Sequence, residues 1–214
     1  MKSAIKHILC VDRRDNIIFP TEGTLFKLSQ EFAGLGGNIG FFKNELELQA
    51  NLPIAEDITV QGSFNAGLMK DLQSDKSFNI TDHFFLGKKI FLRNYVLMKL
   101  THAGGPLSVR GFDIRGIGPS SDGNALGGNL FWASGLHLYT PLPFKPGSGG
   151  LGDLFRTHMF VTAGNVGNFW LSGQVGRDLE QVTQNLRLSY GLGLAVKLGG
   201  VARIELNYCV PVKV

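Results

Sequence analysis

Asn185-Leu186-Arg187-Leu188-Ser189-Tyr190-Gly191-Leu192-Gly193-Leu194-Ala195-Val196-Lys197-Leu198 alternates without a break. Leu186, Leu188, Tyr190, Leu192, Leu194, Val196 and Leu198 share one face of an extended chain. Asn185, Arg187, Ser189, Gly191, Gly193, Ala195 and Lys197 share the other. Successive side chains of a strand point to opposite faces, so a period of two predicts a strand over 184–198 and argues against a helix. Gly199-Gly200 is a two-residue hairpin turn. The chain then returns over 201–210, with Ala202, Ile204, Leu206, Tyr208 and Val210 opposing Arg203, Glu205, Asn207 and Cys209.

The same alternation is clear upstream from residue 24, after a strand over 3–12. Strands are predicted over 3–12, 24–33, 41–52, 58–68, 128–139 and 156–166, which makes about eight in all. In 41–52, for example, Leu46, Leu48, Ala50 and Leu52 oppose Lys43, Glu45, Glu47, Gln49 and Asn51. Asp15-Asn16 and Pro20-Thr21-Glu22-Gly23 supply turn chemistry between the first two strands. Pro141 to Gly152 and residues 167–182 read as longer connections. Strands of about 9–11 residues, apolar on one face and polar or small on the other, describe a transmembrane antiparallel β-barrel. The polar face would line a wet lumen and the apolar face would meet lipid. A soluble sandwich or lipocalin-like barrel also alternates. It keeps charges outside and bulky apolar groups inside, however, whereas the apolar face here carries almost no charge and the other is rich in glycine.

Composition narrows the function classes. Of 214 residues 43% are hydrophobic and 18% charged, low for a soluble protein. No apolar run is long enough for a membrane helix, so a membrane would be crossed by strands. The formal charge of +4 is dispersed, with no basic stripe for nucleic acid. Cys10 and Cys209 make neither a disulfide framework nor a metal motif. His7, His83, His102, His137 and His158 lack ligand spacing, Gly147–Gly152 lacks the lysine of a phosphate loop, and Asn79-Ile80-Thr81 is a chance glycosylation triplet. No nucleophile elbow is present. No enzyme chemistry, metal or cofactor is expected. The N-terminal residues run straight into a strand, without a signal or transit peptide, as if the chain began inside a fold.

Between the fourth and fifth long strands stands Val109-Arg110-Gly111-Phe112, flanked by Gly104-Gly105 and by Gly116 and Gly118. Alone, Arg-Gly-Phe reads as a surface loop with a solvated arginine. Together with Gly127-Gly128, Gly135 to Phe144, Leu154 to His158, Ala163-Gly164-Asn165, Glu205 to Pro211 and the Asp12 to Gly23 turn, it resembles a known family. That family is the superfamily that inserts β-barrel proteins into the outer membranes of bacteria, mitochondria and plastids. Its domain is also called the bacterial surface antigen domain. Within it the resemblance is to the animal mitochondrial sorting and assembly machinery barrel subunits.

The resemblance implies a sixteen-stranded barrel behind a polypeptide-transport-associated domain, of which residues 1–214 would supply about eight strands. It implies residence in the mitochondrial outer membrane. The partners would be the lipid bilayer, β-barrel precursors and other subunits of that machinery. It also implies that the loop of Val109, Arg110, Gly111 and Phe112 folds into the lumen, where Arg110 pairs with an acidic residue of the wall, because an unpaired buried charge is costly. Bacterial relatives carry an aspartate at the position of Thr162, two residues before Gly164. Thr162 has lumen parity and no charge, so the pairing of the bacterial relatives does not carry over to it. Glu205, on the polar face of the last strand, is a substitute candidate, and Thr162, Gly164 and Glu205 are the wall positions where the loop would dock. The implied mechanism is strand addition: a poorly paired seam opens and a precursor strand adds to the exposed edge. The rival readings are a passive pore, a truncated inactive relative, and a soluble ligand-binding barrel.

Two departures stand out. The family runs from Phe85-Leu86-Gly87 directly to Gly105-Pro106. Here Lys88–Gly104, 17 residues, intervene. Gly87-Lys88 can be encoded GGTAAG, with a donor-like GTAAG, and Ala103-Gly104 by GCAGG, with an acceptor-like CAG, so an in-frame retained intron is expected. A loop insertion or an amphipathic membrane-surface segment is the alternative. Against the family pattern, a final strand would also follow Val214, and without it the sheet edges would remain unpaired in lipid.

Overall fold

The computed structural model describes residues 2–37, 39–72, 82–87, 97–101, 109–113, 115–142, 154–169, 182, 185–198 and 202–213. The stretch 147–152, the triplet 79–81 and insert residues 88–96 and 102–104 lie outside them.

Eight long strands form one meandering sheet. They are β1 (Lys2–Asp12), β2 (Gly23–Gly37), β3 (Phe41–Ala55), β4 (Ile58–Asp71), β8 (Leu130–Pro141), β9 (Phe155–Gly167), β10 (Arg187–Leu198) and β11 (Ala202–Lys213). Three short ones lie between β4 and β8: β5 (Leu97–Thr101), β6 (Ser120–Ser121) and β7 (Asn124–Ala125). The sheet order is β1-β2-β3-β4-β8-β9-β10-β11-β5, and β6 pairs with β7 in a hairpin. Every pairing is antiparallel. From the insert, β5 lies on the outer edge of β11 through five positions, Arg203↔Thr101 to Asn207↔Leu97. No pairing closes β1 onto β11 among the described residues.

The long strands outrun the alternating stretches at most ends, because the hydrophobic pattern marks the lipid band while backbone pairing continues past it. β8 and β10 start later than expected. β8 begins at Leu130 and not at 128. Asn185 adopts φ 59°, a left-handed conformation that a strand cannot hold, so β10 begins at Arg187 and not at 184.

Burial is inverted relative to a soluble protein. On β4, Thr59, Gln61, Ser63 and Asn65 are buried. On β11 the buried residues are Arg203, Glu205 and Asn207, while Leu206 and Tyr208 are exposed. On β10 Leu192 is 60% exposed, beside Tyr190 and Leu194, whereas Ser189 and Ala195 are fully buried. Strict parity decides this on β2–β4 and β8–β11, where the polar or small face points into the concave side and the apolar face meets the surroundings. β1, at the edge of the sheet, is exposed on both faces. An apolar outer band this continuous is the wall of a membrane barrel, since a monomer in water would not leave it bare. The outcome excludes the soluble ligand-binding barrel.

The concave side is wet only in part. Near β1–β3 it holds a cavity of about 310 Å³ lined by Lys6, Lys27, Glu45, Glu47, Asn65 and Phe84 among others. Across β8–β11 it is filled with protein. An apolar core of Phe41, Met69, Phe84, Leu86, Val109, Phe112, Ile117, Ala133 and Val166 sits at the end where the long connections leave the sheet.

Leu192→Arg tests the inversion. At a water-exposed site it would change stability by roughly 0.5 kcal/mol or less. In the middle of a lipid-facing strand it should cost about 2–4 kcal/mol, read by denaturant titration of the barrel refolded into vesicles.

Candidate functional site in the lumen

Glu205 stands on the lumen face of β11 and is 1% exposed. Arg110, 3% exposed, reaches it from the motif loop: Arg110 Nη1 donates to Glu205 Oε2 at 2.7 Å. Arg203, two positions along β11 and on the same face, brings its Nη2 to 3.0 Å from Glu205 Oε1. One carboxylate therefore faces two guanidiniums. Each guanidinium also lies over aromatic rings, which supply partial negative charge where the anion count falls short. Arg110 is 5.0 Å from the Phe160 centroid. Arg203 is 5.1 Å from that of Phe19 and 5.6 Å from that of Tyr139.

The loop reaches this depth for local reasons. Gly111 has φ 81°, and a Cβ there would sit 3.1 Å from Cys209 Cβ, so only glycine makes the bend against the wall. Val109 and Phe112 on either side are buried in the apolar core. Gly164 gives Val109 its seat: a Cβ at 164 would be 2.7 Å from Val109 Cγ2. The chain before the loop is fixed by the bridges Phe84↔Gly128 and Leu86↔Ile117. Burial of such apolar side chains is worth about 1.5–3 kcal/mol each. Apolar contact thus carries much of the docking, and the ion pair sets its register.

Thr162, on β9, is 3% exposed and bonds Ser189 Oγ at 2.8 Å across the β9–β10 pair. The Arg110 backbone N–H donates to Thr162 Oγ1 at 3.4 Å. The hydroxyl holds the loop's backbone, while the side-chain charge goes to Glu205. The structure thus brings Val109, Arg110, Gly111, Phe112, Thr162, Gly164 and Glu205 together in one lumen cluster.

A second set of groups was missed by the sequence reading. Tyr139 and His158 stack with centroids 4.6 Å apart and planes at 6°. His137 lies 5.2 Å from His158, and Phe160 5.1 Å from it on another side. The rings are joined by hydrogen bonds whose direction follows from the carboxylate, which can only accept. Asn207 Nδ2 donates to Glu205 Oε2 at 3.3 Å. Asn207 Oδ1 then accepts from His158 Nδ1 at 2.8 Å, and His158 Nε2 accepts from His137 Nδ1 at 3.0 Å. The glycines of β10 make room: the Phe160 ring would collide with a Cβ at Gly191, and Asn207 with one at Gly193. The histidines lack metal spacing, which by itself gives them no role. Their shared lumen parity with Phe160 on paired strands was the available signal.

The turn between β1 and β2 also reaches the cluster. The Ile18 carbonyl accepts from Arg203 Nη1 at 3.1 Å, and Phe19 meets Tyr139 edge-on at 6.1 Å. The turn's own frame is Asp15, whose carboxylate accepts from Thr21 Oγ1 at 2.6 Å and from the backbone N–H of Thr21 and Glu22. Partial burial pushes the Asp15 carboxyl up, but these bonds outweigh it and hold it below the ordinary range.

Comparison with known proteins places the chain in a family. A profile of the Omp85 superfamily domain matches residues 1–214. The "Sorting and assembly machinery component 50 homolog" of Mus musculus is 43% identical over 215 residues, which cover the whole chain and 42% of that relative. The Homo sapiens relative of the same name is 42% identical, with the same coverage. The "Sorting assembly machinery 50 kDa subunit" of Saccharomyces cerevisiae is 29% identical over 216 residues, 39% of its length. The chain thus spans about two fifths of the length of these curated relatives. Among solved structures, BamA from Haemophilus ducreyi lacking POTRA domains 1–3 superposes with a TM-score of 0.67 at 16% identity. That match covers 99% of this chain and 42% of BamA, and the likeness is one of fold.

The Asp15 frame carries a pH dependence. Its folded pKa is depressed, so its contribution is present above the unfolded carboxylate value and is lost as pH falls through the folded one. Hydrogen exchange in residues 13–22 should quicken on acidification below about pH 4, and Asp15→Asn should remove that step.

Proposed function

The chain belongs to the Omp85 superfamily, and on that premise we propose that it forms part of the core barrel of the mitochondrial sorting and assembly machinery, inserting and folding β-barrel precursors in the outer membrane. Its surroundings are the lipid bilayer, the precursors and the other subunits of that machinery. The observation that carries the reading is the motif loop docked in the lumen of an inside-out sheet, with Arg110 on Glu205.

The work is conformational. No bond is made or broken in strand addition, and among the described residues the lumen cluster pairs no hydroxyl or thiol with a histidine. Precursor strands join by backbone hydrogen bonding, which tolerates any sequence that alternates. The seam that opens is not among the pairs from β1 to β11, each of which is zipped over at least ten positions. These strands act as the rigid wall against which a seam elsewhere can move. The loop props that wall from inside.

We also propose that Lys88–Gly104 is an intervening sequence. Its removal would leave Leu86 and Gly87, held in the lumen by the Leu86↔Ile117 bridge, continuous with the motif loop. Sequencing the transcript across codons 80–110 should find those codons absent; their presence in the mature message would make the segment a true loop insertion.

Arg110→Ala removes one of the two guanidiniums on Glu205, which keeps Arg203, and the lost charged hydrogen bond should cost about 1.5–3 kcal/mol at the loop. Assembly of radiolabelled barrel precursors into mitochondria carrying the variant should fall severalfold. Assembly and loop protection equal to wild type would refute the role. Depletion of the protein should stop precursor assembly; if assembly continues and only permeability changes, the pore reading takes its place. Carbonate extraction should leave the protein in the membrane pellet.

A further inference from the structure

The turn between β1 and β2 has no part in the mechanism above, yet it is built into the lumen. It belongs to one side of the sheet and makes its contacts on the other. Ile18 and Phe19 meet Arg203 on β11 and Tyr139 on β8, while β2 is separated from β8 by β3 and β4 in the sheet. Those contacts exist only because the sheet curves and the turn crosses its concave side. Phe19 and Pro20 are buried at the crossing. On the near side Arg14 Nη1 donates to Gln49 Oε1 at 3.4 Å, on the lumen face of β3. The turn is thus tied to both walls.

We propose that residues 13–22 are a second lumen plug, and that Glu205 latches both plugs at once. The motif loop enters from the end where the long connections leave the sheet, and its Arg110 takes Oε2. The turn enters from the opposite end, where the β3–β4 and β10–β11 hairpins close, and is held through Arg203, which sits at Oε1. Arg203 is the positioning residue of the second plug. It presents one guanidinium to a carboxylate, to the Ile18 carbonyl and to two ring faces. A lysine in its place would keep the charge but could not reach carboxylate and carbonyl from separate nitrogens of one plane. The consequence is a lumen closed at two levels, with release of either plug sensed at one side chain.

The proposal rests on the membrane-barrel reading but not on insertase activity, and its test reads out neither binding nor assembly of precursors. The full-length protein would be placed in lipid nanodiscs for hydrogen exchange and in planar bilayers for conductance. Glu205→Gln should speed exchange by about tenfold in both 13–22 and 109–113. Arg203→Gln should do so in 13–22 and raise ion conductance, with the larger exchange effect at the turn. Phe19→Ala, which leaves the three charges in place, should also raise conductance. Arg203→Lys should fall between wild type and Arg203→Gln, and it serves if the glutamine variant does not fold. Unchanged exchange at 13–22 in the Arg203 variants would overturn the proposal. So would a Glu205→Gln protein that loosens only the loop, or wild-type conductance in all four variants.

Discussion

A single buried carboxylate, Glu205, faces two buried guanidiniums, and the lumen of this barrel is arranged around that imbalance. Taking ions out of water costs several kcal/mol each, which geometry and further hydrogen bonds must offset. Here the excess positive charge is spread over three ring faces, Phe160, Phe19 and Tyr139, and one peptide carbonyl, that of Ile18. Asn207 adds a donor to the carboxylate and passes the polarity on to His158 and His137. The motif loop ends on this group and the β1–β2 turn reaches it through Arg203, so its position on β11 bears on both.

The loop and the wall fit because the wall is thin where the loop presses. Gly164 lies under Val109, and Gly191 under Phe160. Hence glycine stands at 164 on β9 beneath the loop, and at 191 and 193 on β10 against Phe160 and Asn207. A barrel that merely held water would gain nothing from such small residues. One that packs a folded-back loop needs every Cβ it can lose at the points of contact. The β1–β3 side carries the opposite choice, with Lys6, Lys27, Glu45 and Glu47 around open space.

Strand alternation was legible because burial in a membrane barrel follows parity alone. Leu188, Leu192 and Leu194 fall outside, and Ser189, Gly191 and Gly193 inside, with no help from distant residues. The family motif was legible for a related reason: Gly111 is demanded locally by its φ, and it stands between an arginine and a ring. Strand ends were less so. Backbone pairing does not stop where hydrophobicity does, and Asn185 ends a strand through its own conformation.

The chain's amino acids by themselves determined which residues face lipid, which face inward, and that a charged loop tip must find a partner. Only the tertiary structure decided who that partner is and what else shares it. Arg110 and Glu205 are 95 positions apart, and Ile18 and Arg203 are 185 apart. Nothing in local pattern distinguishes Arg203 from any other inward polar residue. Its role depends on how far the sheet curves, because curvature alone brings the β1–β2 turn across the lumen to β11, and curvature is a property of all eight strands together.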